Sequence, residues 1–281
     1  MPKSCCSRFT AETQRGNFEV RPNLGVIRVI CEEVKKNCKY TDKTTILDIG
    51  CGIGKNSKEL AKRLQAYIVG VDHKKDELIR AKQTYSEGDW VLLDAEALNV
   101  KRTSVDIILL IFVIHLLKNP TILLQKLHQG LKKPNGLLFI VTVDHDQITS
   151  GIYAKYFPEA VAFDLRRFPK VMDLRELLTK LGFKTWVRTQ RYFQRVTDKA
   201  SVQSWVEKVH NQIFSSFDLY SPEELKKKLN QMEDDLTQQT QRKKINLRRK
   251  TTIICARPIS DFEVSNRSMG EPGVTLIKNN I

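Results

Sequence analysis

Several protein classes leave no mark on this chain of 281 residues. Its six cysteines, at positions 5, 6, 31, 38, 51 and 255, make no C-x-x-C pair and have no histidine partner at zinc-binding spacing, which argues against a disulfide scaffold or a structural zinc site. Adjacent Cys5 and Cys6 suit neither an unstrained disulfide nor a metal site, so a reducing compartment is expected. No apolar run reaches the roughly 20 residues needed to cross a bilayer. The longest, residues 107–117, reads instead as a central strand buried on both faces. The opening MPKSCCSRFTAETQ has no apolar leader segment, and the expected location is the cytoplasm. Acidic residues are also sparse, 32 against 47 Lys and Arg, giving a formal net charge of +15. That charge could steer nucleic acid or another anionic partner. The basic residues are spread along the whole chain, however, and the densest run, residues 242–250, follows acidic Glu233, Asp234 and Asp235, so a solvated surface is the better reading.

The most informative residues that are present lie at positions 46–56, ILDIGCGIGKN: a short apolar strand, an acid, then Gly50, Gly52 and Gly54 at alternate positions. Glycine has no Cβ and tolerates positive φ, so such a loop brings backbone close to a ligand at a strand's carboxyl end. Leu60, Ala61 and Leu64 then recur at helical spacing, giving strand, glycine loop, helix. A dinucleotide fingerprint would need G-x-G-x-x-G, and here Lys55 takes the third glycine's place. A phosphate-binding P-loop would need glycine at Ile49 and Ser or Thr at Asn56.

The pattern D-x-G-x-G-x-G from Asp48 resembles the first motif of class I S-adenosylmethionine-dependent methyltransferases, and further motifs follow in that family's order. A second strand ends in Asp72, near the offset of a ribose-binding acid. DWVLLDAEAL, with Asp94 and Ala95, is similar to the family's adenine-contacting element, and LKKPNGLLFIVTV to its turn into the fifth strand. The resemblance covers residues 45–143 closely and extends more loosely to residue 258, where it is similar to the methyltransferase type 11 group. It implies an α/β fold, a Rossmann-like doubly wound sheet of seven strands with helical lid insertions. It also implies S-adenosylmethionine as cofactor, held by Asp48, Gly50, Cys51, Gly52, Gly54, Asp72, His73, Asp94 and Ala95. Asp48 either contacts the cofactor's amino group or orients the loop. Asp106 reads as structural.

The expected organisation is an N-terminal helical segment over residues 1–44, a cofactor-binding core over 45–196, a helical lid over 197–250, the last core strand over 251–258 and a flexible tail over 259–281. In the first helix Leu24, Ile27, Ile30, Cys31 and Val34 form the apolar stripe. Leu174, Leu177, Leu178 and Leu181 mark a later helix stopped by Gly182. An aromatic insertion over 144–170 either roofs the substrate pocket, with Tyr153, Tyr156 and Arg167 as substrate contacts, or is core packing. Residues 197–250 are a lid or a hairpin extension that never meets substrate.

Methyl transfer to a small-molecule acceptor is the expected function, with RNA methylation and a non-catalytic cofactor-binding partner subunit as alternatives. No metal is expected, and the tetrapeptide of base-methylating enzymes is missing after the fourth strand. His145, directly after the fifth strand, and His115, at the end of the fourth strand's motif, are the candidate general bases, because histidine titrates nearest neutral pH. His128 reads as a surface or packing residue.

Overall fold

The computed structural model describes residues 23–211 and 215–259. Cys5, Cys6, most of the proposed tail and the first half of the N-terminal segment lie outside them. The chain divides into two compact units. The larger holds residues 23–147, 166–191 and 250–259, and the smaller holds 148–165 and 192–249. Among the described residues no helix is long and apolar enough to cross a membrane.

In the larger unit β1 (Thr45–Ile49) pairs in parallel with β2 (Tyr67–Asp72) on one side and β4 (Ile107–Ile111) on the other. Outside them, β3 (Asp89–Leu92) pairs in parallel with β2, β5 (Leu137–Thr142) in parallel with β4, and β7 (Ile245–Pro258) antiparallel with β5. With β6 (Phe183–Val196) at the edge, the seven-stranded order is β3-β2-β1-β4-β5-β7-β6. The chain leaves β1 in opposite directions toward β2 and β4, and in such sheets the ligand crevice opens at the carboxyl ends beside that switch point.

Alternation along the strands builds the two covered faces. Ile46, Ile68, Ile107 and Leu109 share a core with α1 (Leu24–Asn37), α2 (Lys55–Leu64) and α3 (Lys75–Thr84). Leu47, Ile108, Leu110 and Ile140 share the other with α4 (Pro120–Gly130) and, past the short α5 (His145–Thr149) and α6 (Pro158–Arg167), α7 (Val171–Lys180). His128 is buried there, edge-on to Phe183 and bonded through Nε2 to the Gly182 carbonyl, a packing residue. Asp106 is structural, accepting the Thr45 N–H at 2.9 Å and pairing with Lys132 at 2.8 Å.

Three expectations are corrected. Leu24 is 52% exposed, because the buried stripe of α1 begins at Val26. The fourth strand stops at Ile111, since Phe112 takes φ +57 and turns the chain into a 3-10 turn at Ile114–Leu116. The last strand starts at Ile245 rather than 251, so helix fills the connection only as far as Arg242.

The smaller unit has its own core. Tyr156 and Phe157 pack with Trp205 and Val206 of α8 (Lys199–Asn211), with Phe217, and with Leu229, Met232 and Leu236 of α9 (Pro222–Arg242). A capping box of Ser221 and Glu224 starts α9, as the sequence Ser-Pro-Glu-Glu suggests. Lys155 and the Tyr156 hydroxyl both reach Asp235 Oδ2, at 2.6 and 3.1 Å. The aromatic insertion is therefore divided: residues 148–165 help build this unit, while Arg167 and Phe168 belong to the larger one.

Candidate functional site

Gly50, Gly52 and Gly54 all take positive φ, +70°, +52° and +71°, as alternate glycines between a strand and a helix require. Close approach explains two of them. A Cβ at Gly50 would lie 2.3 Å from Val113 Cγ2, and one at Gly54 would lie 2.5 Å from the Trp90 ring. At Gly52 the nearest atom to such a Cβ is Glu77 Oε2 at 3.9 Å, ordinary contact, so this position has room that the other two lack.

The loop's amides are largely used inside the protein. Gly50 and Cys51 donate to the Val71 carbonyl at 2.7 and 3.1 Å, and Gly54 donates to the Cys51 carbonyl at 3.1 Å. Gly52 donates to Asp72 Oδ2 at 2.9 Å. The other oxygen of Asp72 accepts the Lys74 N–H at 3.0 Å. Asp72 thus ties the glycine loop to the turn after β2, a role the sequence did not suggest. Each carboxylate oxygen has a second lone pair, so these bonds leave acceptor capacity for ribose hydroxyls.

Asp48 lies within the buried part of β1 at 2% exposure, where Oδ2 accepts the Ser57 hydroxyl at 2.6 Å and Oδ1 is buried without a hydrogen-bond partner among the described residues. Burial, reinforced by Asp72, pushes its carboxyl up to about 7 against the pull of Ser57. Because the folded-state value lies above the unfolded one, the fold holds this proton and loses stability as pH rises from about 4 to about 7, on the order of 4 kcal/mol in the ligand-free protein. Asp48→Asn should flatten that slope in thermal melts between pH 4 and 8; an unchanged slope would show that Asp48 is not buried as described. Ser57 was missed in the sequence, although it is a polar residue in the 57, 60, 61, 64 stripe of α2.

Cys51 is half-buried, and burial beside Asp48 and Asp72 raises its thiol, which stays protonated. His73 is exposed, its Nδ1 3.6 Å from Asp72 Oδ1 and beyond hydrogen-bond length. Asp94 is exposed after β3, its Oδ1 accepting the Glu96 N–H at 2.9 Å, with Ala95 half-buried beside it.

Farther along the carboxyl edge, the His115 ring stacks on Phe168 with centroids 3.8 Å apart and planes 16° apart. Burial and the Arg167 charge lower its pKa to about 3, so it is neutral. His145 Nε2 lies 2.8 Å from the Phe168 carbonyl, while Asp144 Oδ1 accepts the backbone N–H groups of His145 and Val171 at 2.9 and 3.2 Å. The larger unit therefore gathers Asp48, the three glycines, Cys51, Asp72, His73, Asp94, Ala95, His115, His145 and Arg167 near its strand ends. Tyr153 and Tyr156 belong to the smaller unit, where Tyr156 is a core residue.

A methyltransferase domain model, Methyltransf_11, matches residues 47–140. The biotin biosynthesis bifunctional protein BioHC of Cellvibrio japonicus is 37% identical over 103 residues, 36% of this chain and 20% of that protein. The trans-aconitate 2-methyltransferase of Azoarcus is 34% identical over 100 residues, 35% of this chain and 39% of its own length. The chain thus spans about a fifth to two fifths of the length of these curated relatives. The plantazolicin methyltransferase BpumL, solved with SAH (S-adenosylhomocysteine), superimposes with a TM-score of 0.55 at 20% identity, covering 84% of each chain. The room at Gly52 and the orphaned buried Oδ1 of Asp48 fit a close-lying ligand that carries a cationic amino group, as S-adenosylmethionine does. Residues 47–140, within the larger unit, match the methyltransferase domain family, for which S-adenosylmethionine is the implied cofactor.

Proposed function

We propose that the chain transfers a methyl group from S-adenosylmethionine to a small-molecule acceptor. The observation that carries this reading is the unsatisfied buried carboxylate oxygen of Asp48 on β1, four residues before Gly52, where a Cβ would meet only Glu77 Oε2 at 3.9 Å. When bound, the cofactor supplies an electrophilic methyl on a sulfonium with a good leaving group. Asp48 would meet its ammonium group, Asp72 its ribose hydroxyls, and Asp94 with Ala95 would lie along its adenine. The protein's remaining tasks are alignment and exclusion of water.

Asp48 gives this reading a pH signature. Its carboxyl must ionise to meet a cation, so cofactor affinity should fall about tenfold for each pH unit below about 7 and level off above it. Calorimetry across pH 5.5–8.5 reads this directly, with proton release on binding near neutrality; a flat profile would remove Asp48 from the ammonium site.

The acceptor class is tested by incubating the protein and methyl-labelled cofactor with a cell extract and sorting the label into metabolites, RNA and protein. Label in the metabolite fraction, insensitive to moderate salt, is the expected result. RNA labelling that collapses as salt rises would favour the nucleic-acid alternative, since phosphate contacts weaken steeply with salt. Cofactor binding without turnover would favour the partner-subunit alternative.

A further inference from the structure

The segment after β4 carries a group of side chains that the cofactor does not account for. Val113 packs where a Cβ on Gly50 would lie, so this segment runs directly against the glycine loop. Two residues on, His115 stacks on Phe168, and its Nδ1 is buried with no hydrogen-bond partner among the described residues. The Arg167 guanidinium carbon lies 5.2 Å from the centroid of the same Phe168 ring, and its charge reaches His115. His145 fastens this arrangement from the end of β5 through the Phe168 carbonyl. Val113, His115, His145, Arg167 and Phe168 all lie in the larger unit.

The chemistry of the group is selective. A histidine held neutral down to a pKa of about 3 is too weak a base to take a proton from a hydroxyl or an ammonium group. Nε2 of His145 is engaged with a carbonyl. The group therefore suits an acceptor that is already a nucleophile at neutral pH, without proton removal. A carboxylate meets that condition, being ionised above about pH 4. It also matches the donors present: a guanidinium fork binds it bidentately, and a neutral imidazole can turn one N–H toward it.

We propose that Arg167, His115 and Phe168 form the acceptor subsite for a small carboxylic acid, which is methylated on oxygen to its ester; this rests on the methyl-transfer reading above. A lone pair on the carboxylate oxygen forms the new O–C bond as the C–S bond breaks, and the electron pair of that bond passes to sulfur. The negative charge of the acid and the positive charge of the sulfonium cancel, giving a neutral methyl ester and S-adenosylhomocysteine with no proton transferred. Arg167 anchors the carboxylate, His115 orients it as a positioning residue, and Phe168 supplies an apolar wall. The net charge of +15 draws anionic acceptors toward the protein.

The bond formed can be read without knowing the acid. Methyl esters release methanol in mild alkali, whereas N-methyl, C-methyl and ether products do not. The protein is incubated with methyl-labelled S-adenosylmethionine and the small-molecule fraction of a cell extract, and volatile label is measured after alkali treatment. Most incorporated label should come off as methanol. Arg167→Gln should cut that yield about tenfold or more, the effect of losing a charged hydrogen-bond donor. Arg167→Lys should restore part of it, and His115→Phe, which keeps the stack but deletes the nitrogen, should reduce it. Calorimetry with S-adenosylhomocysteine should give wild-type affinity in all three variants, showing that each is folded. Alkali-stable label, or ester label undiminished in folded Arg167→Gln, overturns the carboxylate subsite and leaves methyl transfer standing. No incorporation in any fraction, despite S-adenosylhomocysteine binding, overturns methyl transfer itself.

Discussion

Alanine at Asp72 should lower the affinity for S-adenosylhomocysteine by about a hundredfold or more. Its two oxygens fix the Gly52 N–H and the Lys74 N–H, so the substitution releases the glycine loop and the turn after β2 together. Hydrogen bonds to a charged group contribute about 1.5–3 kcal/mol each, and two lost at one ligand-facing residue amount to on the order of 3 kcal/mol or more. Any ribose contact adds to this. Asp72→Asn should fall between, because its single carbonyl oxygen can keep one of the two bonds. Calorimetry checks the order wild type, Asn, Ala; equal affinity in all three would mean that the loop is held by other contacts and that Asp72 touches no ligand.

Gly54→Ala should cost roughly 3 kcal/mol of stability. The new Cβ would sit 2.5 Å from Trp90 and 3.2 Å from Ala81 Cβ, and the Trp90 ring is buried and pinned by its Nε1 donating to the Tyr85 carbonyl at 2.9 Å. Left-handed φ in a non-glycine residue costs about 1–2 kcal/mol, and overpacking adds about 1–3 kcal/mol. For a domain of this size that is a fall of about 10 °C in Tm. Gly52→Ala makes the contrast: its Cβ meets nothing nearer than 3.9 Å, so only the conformational cost of about 1–2 kcal/mol applies, while the methyl intrudes where the ligand is placed. Thermal melts and S-adenosylhomocysteine titrations on the pair should show Gly54→Ala losing stability more and Gly52→Ala losing affinity at smaller stability cost. Equal stability losses would contradict the close packing at Gly54.

The sheet was legible because its signals are local. Apolar runs ending in an acid or a glycine mark β1, β2 and β5, and the leucine spacing of α7 fixes a helix without any tertiary knowledge. What was not legible depends on tertiary contact. Nothing in the sequence around Asp72 says that its carboxylate caps the glycine loop, since that bond joins residues twenty positions apart. Phe112 could not be foreseen as the end of β4, because its left-handed φ breaks a run that is apolar throughout. His115 looked like a base by residue type, and only its stacking on Phe168 and burial beside Arg167 show that it stays neutral. Tyr156 looked like a substrate contact from its aromatic neighbourhood, but it packs in a separate hydrophobic core and its hydroxyl is bonded to Asp235.

The most direct measurement is a calorimetric titration of the full chain with S-adenosylhomocysteine at pH 8, beside Asp72→Ala and Gly52→Val. A cofactor site at the end of β1 requires saturable one-to-one binding by the wild type and a large loss in both variants. No saturable heat for the folded wild type up to about 1 mM, the weak end of specific affinity, would contradict it.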